Sequence, residues 1–100
     1  MKVRYTRRTF SDLEKIYSYL EARNPVAARQ VIGLIDAVVT RLSEFPEAGQ
    51  RSDEPDVRIL FARRYPYRIY YRVASDEIAI LHIRHAARRA PEDREFEHDR

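Results

Sequence analysis

The sequence has 100 residues, no cysteine and a formal net charge of +3. This length suits one domain with its own core, and the lack of cysteine excludes disulfides and thiolate metal sites. Its apolar runs are far shorter than the roughly 20 residues that span a bilayer. The N-terminus lacks the apolar segment of a signal peptide, so we expect a soluble cytoplasmic protein.

Positive charge is concentrated late in the sequence. Residues 57–90 contain eight arginines and two acids, whereas residues 91–100 contain five acids and two arginines. Arg binds phosphate or carboxylate through paired hydrogen bonds, so this clustering predicts a polyanion or an acidic protein as partner. We expect a single domain over residues 1–90 and an acidic C-terminal tail over residues 91–100.

The first half predicts a strand and two helices. Residues 2–6 alternate in polarity and predict a short strand. Thr9 or Ser11 can cap a first helix that ends near residue 22. The apolar positions of this helix recur at helical spacing. They are Phe10, Leu13, Ile16, Tyr17 and Leu20.

A second helix is predicted from Asn24, the N-cap, and Pro25, the first helical residue. Its apolar stripe runs from Ala28 to Phe45, and Pro46 and Gly49 end it. Because the link between the two helices is short, we expect an antiparallel helical hairpin.

Three strands follow a polar loop at residues 47–56. They are predicted over residues 57–62, 67–73 and 78–83, with turns at Arg64-Tyr65-Pro66 and Ser75-Asp76. The order β-α-α-β-β-β predicts an α+β domain in which the helical hairpin covers one face of a small, mostly antiparallel sheet. The other face then carries Arg68, Tyr70 and Arg72, with His82 or Arg84 as further candidates.

Metal-free RNA cleavage is the enzymatic chemistry that these residues permit. It needs a base, an acid, and cations that stabilise the charged phosphorane. His85 is the candidate for the acid or the base of the reaction. Tyr70 or Tyr71 could stack on a nucleobase of the RNA. Arg68, Arg84, Arg88 and Arg89 are the candidate cations. The alternative is that the arginines solvate an exposed sheet face and that His82 is a hydrogen-bonded core residue. No metal site is expected, since His82 and His85 do not share a strand face.

Several segments together resemble the ParE/RelE superfamily of type II toxin–antitoxin toxins over roughly residues 2–91. No segment is specific alone, but their order is. They are Asp12-Leu13…Ile16…Tyr19, Leu42…Pro46…Gly49, Val57-Arg58, Tyr67-Arg68-Ile69-Tyr70-Tyr71 and His85…Arg88.

The resemblance implies a toxin that restrains bacterial growth until a cognate antitoxin wraps it. Such a ParD-like antitoxin would join a DNA-binding domain to an acidic C-terminal segment lying between the hairpin and the sheet. Operator DNA would then be bound only through the antitoxin. No cofactor is implied.

Two activities occur in the superfamily, gyrase inhibition and ribosome-dependent mRNA cleavage. Arg68 and Arg88 match the arginines of RelE-like nucleases. However, residues 57–64 contain no lysine, and Phe96 near the C-terminus cannot transfer protons. The ending at residues 85–89 also looks more ParE-like. We therefore favour inhibition of DNA gyrase, with RelE-like cleavage as the alternative and a degenerate antitoxin-binding module as a second alternative.

The candidate site residues follow from these alternatives. The catalytic set, which applies only to a RelE-like nuclease, is Arg68, His85 and Arg88. The candidates for binding the antitoxin or the target are Arg58, Arg64, Arg68, Arg72, Arg84, Arg88 and Arg89.

Overall fold

The computed structural model describes residues 1–62 and 66–85. The chain begins with strand β1 and continues through two helices to four further strands. The elements are β1 (Lys2–Tyr5), α1 (Arg7–Glu21), α2 (Pro25–Arg41), β2 (Gln50–Arg51), β3 (Val57–Ala62), β4 (Tyr67–Val73) and β5 (Glu77–His85). This order confirms the predicted α+β fold and adds β2, which was expected to be loop.

The five strands form one sheet in the order β1-β5-β4-β3-β2. β1 is parallel to β5, and the other neighbouring strands are antiparallel. The sheet is therefore mostly antiparallel, as predicted. The turn predicted at Arg64-Tyr65-Pro66 lies largely outside the described residues, as does the acidic tail.

The N-cap of α2 was predicted correctly, and the N-cap of α1 was not. Asn24 caps α2 and accepts a hydrogen bond from Ala27 N at 3.1 Å, with Pro25 as first residue, as expected. The cap of α1 is Thr6, whose hydroxyl accepts from Thr9 N at 3.2 Å. The prediction of Thr9 or Ser11 as the N-cap was wrong. It relied on a carboxylate three residues after the cap, which Thr9 has in Asp12 and which Thr6 lacks.

The main core lies between the helical hairpin and one face of the sheet. Ile35, Ile69, Ile78 and Ile80 are at most 1% exposed, and Tyr71 is fully buried with them. Two residues of the predicted apolar stripes lie outside this core: Phe10 is 59% exposed, and Phe45 is 54% exposed because α2 already ends at Arg41.

The loop after α2 is fastened to the sheet by Tyr71. Its phenol donates to Pro46 O and accepts from Gly49 N, both at 2.8 Å. Arg58 donates to Gly49 O at 2.8 Å. A Cβ at Gly49 would lie 2.7 Å from the Tyr71 ring, so only glycine fits this close approach. Burial raises the pKa of the Tyr71 phenol.

The first turns of α1 continue the edge of β5 where β1 stops. The hydroxyls of Thr6 and Thr9 donate to Ile80 O at 2.7 and 2.6 Å. One turn later, Asp12 accepts a hydrogen bond from Ile83 N at 3.0 Å. Side chains of a helix thus satisfy backbone groups that a strand would otherwise pair.

Within residues 1–62 and 66–85, neither helix combines the length and the apolar character that crossing a bilayer requires.

Candidate functional site

The sheet face turned away from the helices is the candidate site, and we call it the open face. Strand alternation places arginines and a small apolar patch there. The patch consists of Val57, Tyr70 and Leu81, with Ile59 and Ala79 packed against them. The charged side chains of the open face are Lys2, Arg4, Arg68, Arg72, Glu77 and Arg84.

Arg68 and Arg84 are direct cross-strand partners at one end of the open face. The Arg68 guanidinium lies 5.7 Å from the centre of the Phe61 ring, and Arg84 is only 8% exposed. Among the described residues, the buried Nε of Arg68 has no hydrogen-bond partner. The two strands thus place two guanidinium groups opposite each other, and guanidinium groups bind anions through paired hydrogen bonds.

Tyr70 and His82 form the next cross-strand pair. Their rings stack with centroids 5.8 Å apart and an angle of 7° between planes. The register shifts between Tyr70 and Tyr71, so Leu81 is the extra residue of a β-bulge on β5. The bulge places both Leu81 and His82 at the open face, contrary to simple alternation.

His82 also connects the open face to α1. Its Nδ1 lies 2.6 Å from Asp12 Oδ2, and its Nε2 lies 3.5 Å from the Arg8 guanidinium. Because an ionised carboxylate can only accept, Nδ1–H is the donor to Asp12. The hydrogen-bonded alternative for His82 is therefore confirmed.

His85 lies on the opposite side of the sheet from Arg68. Its ring contacts Tyr67 edge to face, with centroids 5.4 Å apart, on the side of the helices. Both rings line a groove of about 630 Å³ between α1 and the end of β5, together with Lys15 and Tyr19. The described structure thus does not bring Arg68 and His85 together at one face.

The remaining predicted binding residues have different surroundings. Arg72 lies on the open face between Val57 and Ala79 of the neighbouring strands. Arg58 lies on the other face, where its guanidinium donates to the loop after α2. Arg64, Arg88 and Arg89 lie outside the described residues.

The structure distinguishes between the two tyrosines that were candidates for stacking on a nucleobase. Tyr71 is buried in the main core, so Tyr70 is the tyrosine of the open face. No group of three or more carboxylate or imidazole side chains within the described residues could hold a metal ion.

A comparison with protein families identifies the family of this chain. Residues 3–90 match the model of the ParE toxin of the type II toxin–antitoxin system parDE. The chain belongs to this family. It is a type II toxin–antitoxin toxin, as the resemblance in its sequence motifs predicted.

Two relatives match this chain over nearly their whole length. A putative toxin, Y4kP, from Sinorhizobium fredii is 33% identical over 91 residues, which cover 91% of this chain and 94% of the relative. Toxin RelE2 from Caulobacter vibrioides is 32% identical over 87 residues, covering 87% and 97%. The ParE-family domain is thus matched almost end to end.

Solved structures agree. A chain of the chromosomal ParDE toxin–antitoxin system from P. aeruginosa is 32% identical, with a TM-score of 0.77, covering 85% of this chain and 95% of that one. The isolated RelE toxin of E. coli is 17% identical, with a TM-score of 0.59, covering 88% and 86%. The second match shows a shared fold alone.

Proposed function

We propose that this ParE-family toxin restrains growth by inhibiting DNA gyrase through protein–protein contact. The observation that carries the proposal is the separation of Arg68 from His85 by the thickness of the sheet. The open face therefore offers cations and an aromatic ring without His85, the predicted acid or base.

RNA cleavage makes demands that this face meets poorly. A base, an acid and cations must converge on one phosphate. His82 is on the open face, but both of its ring nitrogens already contact Asp12 and Arg8. Strand β3 contains no lysine, and Phe96 cannot transfer protons. These features favour a binding surface over an RNase active site.

We further propose a cognate ParD-like antitoxin as the neutralising partner, acting in the cytoplasm. Its acidic C-terminal segment would complement the arginines of this toxin, and operator DNA would be bound through the antitoxin alone. The P. aeruginosa neighbour belongs to a ParDE system, which supports this expectation.

Purified toxin tests the gyrase proposal directly. Added to gyrase, relaxed plasmid and ATP, the wild-type chain should reduce supercoiling, and the Arg68→Gln, Arg72→Gln double variant should reduce it less. Arg29→Gln, an exposed change on α2, is the matched control and should act like wild type. Undiminished supercoiling at toxin excess would contradict gyrase as the target.

Ribosome-dependent mRNA cleavage is the second candidate, and the Asp12–His82 pair is the observation in its favour. This pair places an oriented imidazole on the same face as Arg84. Primer extension after induction should then show codon-phased cuts that disappear in His82→Gln or in the Arg68→Ala, His85→Ala double variant. Intact mRNA during growth arrest would exclude it. A degenerate antitoxin-binding module, the third alternative, would copurify with the antitoxin yet leave growth unaffected.

A further inference from the structure

The apolar stripe of α2 continues beyond the last residue of the helix. Val38, Leu42 and Phe45 follow at helical spacing, and Leu42 is buried whereas the Phe45 ring is 54% exposed. An open pocket of about 280 Å³ lies beside that ring, between the end of α2, the following loop and β3. Its lining residues, which we call the α2-end patch, are Val38, Arg41, Leu42, Phe45, Ala48 and Leu60. The chain thus presents an exposed aromatic ring next to a largely apolar cavity.

The charges at the α2-end patch differ from those of the open face. Arg41 is exposed within the patch, and Glu44 and Glu47 are exposed on either side of Phe45 along the chain. Within the described residues, none of these three charged side chains forms an ion pair. Because two acids accompany one base here, this region does not attract the acidic segments and polyanions that suit the arginines of the open face.

The α2-end patch and its flanking acids are complementary to themselves. When two copies meet across a two-fold axis, one surface supplies both halves of every interaction. Here the Phe45 ring protrudes beside the pocket, and a cavity of roughly 150 Å³ already accommodates a benzene ring. Arg41 likewise lies on the same surface as Glu44. A second copy of this chain therefore brings both the ring that fits the pocket and the charges that pair with Arg41 and Glu44.

We propose that the α2-end patch is a homodimer interface, in which Phe45 of each copy fills the pocket of the other and Arg41 of each copy pairs with Glu44 of the other. Val38 and Leu60 of the patch pack against the main core, so the interface lies on the helix side of the sheet and leaves the open face uncovered. The inference does not depend on gyrase being the target. Since standard interfaces have roughly 20–30 residues a side, a patch of this size predicts a weak dimer that dissociates on dilution.

Sedimentation equilibrium of the purified full chain measures the association. With rising concentration, wild type should shift from the mass of one chain to the mass of two. Phe45→Ala should raise the dissociation constant about tenfold or more, as the loss of an aromatic anchor does. Phe10→Ala is the matched control, because Phe10 is an equally exposed aromatic residue on α1, and it should associate like wild type. A chain that stays monomeric, or a dimer that Phe45→Ala does not weaken, would overturn the proposal.

Opposite charge changes test the pairing between the two copies. Arg41→Glu and Glu44→Arg should each weaken their own homodimer, because like charges then face each other across the two-fold axis. When the two variants are mixed, unlike charges face each other again, so native mass spectrometry should show more heterodimer than either homodimer. Both residues are exposed, so their replacement is compatible with folding, and circular dichroism checks this. A mixture in statistical proportions would contradict the assigned pairing.

The supercoiling assay separates the interface from the proposed function. If the chain stayed monomeric while it still reduced supercoiling, the interface would fail and the proposed function would stand. If the chain dimerised through the α2-end patch without any effect on gyrase, the interface would stand and gyrase would fail as the target. The two proposals therefore succeed or fail in different measurements.

Discussion

The two faces of the sheet differ in burial and in charge. The helix-covered face is a continuous core in which Ile69, Ile80 and Tyr71 are fully buried and the one polar side chain among them, the Tyr71 phenol, is hydrogen-bonded. The open face has a patch of a few apolar residues among arginines. One face therefore supplies folding free energy, and the other keeps charge that folding does not require. This contrast teaches where replacements should affect stability and where they should affect binding.

The largest expected effect is on the covered face. Ile69→Ala removes a fully buried side chain and should lower the free energy of unfolding by about 2–5 kcal/mol. Ile59→Ala on the open face is the matched change and should cost less, because Ile59 is only partly buried. Urea denaturation followed by circular dichroism measures both. Equal losses would show that the faces contribute alike.

Gly49→Ala should be the next largest change. The added methyl group would overlap the Tyr71 ring and lie 2.9 Å from Ile59 O, so we expect a loss of about 1–3 kcal/mol. Gly33→Ala is the control in α2, where nothing lies within 4 Å of the new Cβ. Since alanine suits a helix interior better, it should stabilise by about 0.5–1 kcal/mol. Thermal unfolding should shift in opposite directions for the two variants.

Asp12→Ala tests the connection between the faces. It removes the acceptor of both the His82 ring and Ile83 N, and a buried donor left unsatisfied costs about 1–3 kcal/mol. Glu14→Ala, an exposed change on the same helix, should have almost no effect. Hydrogen exchange at Ile83 N should also accelerate in Asp12→Ala. Unchanged protection of that amide would mean that Asp12 is not its partner.

Arg68→Gln should separate stability from function. We expect a change in unfolding free energy within about 0.5 kcal/mol, because the side chain contributes repulsion from Arg84 as well as packing. Growth inhibition after induction should nevertheless fall sharply, and Arg29→Gln should change neither. Full toxicity of Arg68→Gln would remove the open face from the proposed function.

The smallest expected effect is on pH dependence. Burial raises the pKa of the Tyr71 phenol above its ordinary value of 10.0, so the folded state holds this proton more tightly. Its contribution to stability is complete below pH 10 and is lost as the pH rises through the higher folded pKa. Between these values Tyr71→Phe should lose stability less steeply than wild type.

Local patterns were enough to predict the hairpin and the three long strands. Asn24-Pro25 is a strong start signal, and period-two alternation in β4 correctly assigns Arg68 and Arg72 to the face opposite Ile69 and Tyr71. These features depend on neighbours within one turn or one strand. They are therefore legible without knowledge of the tertiary structure.

The missed features all depend on distant partners. Asp12 and His82 are 70 residues apart, so no local motif relates them. The bulge at Leu81 changes the sheet face on which the following residues of β5 lie, and no residue pattern in the sequence marks it. β2 has two residues and exists only because β3 lies beside it. For the site, these contacts decide that His82 rather than His85 shares a face with the arginines.

The parallel pairing of β1 with β5 has a consequence for the order of folding. Val3 pairs with Ile78, so this contact closes about three quarters of the chain into one loop, whereas the helical hairpin and the β3-β4-β5 meander are local. Loop-closure entropy makes such distant contacts slow to form. We expect β1 to join last and to protect its amides later than β4 in pulsed hydrogen exchange during refolding. The first segment of the sequence would then be the last to enter the sheet.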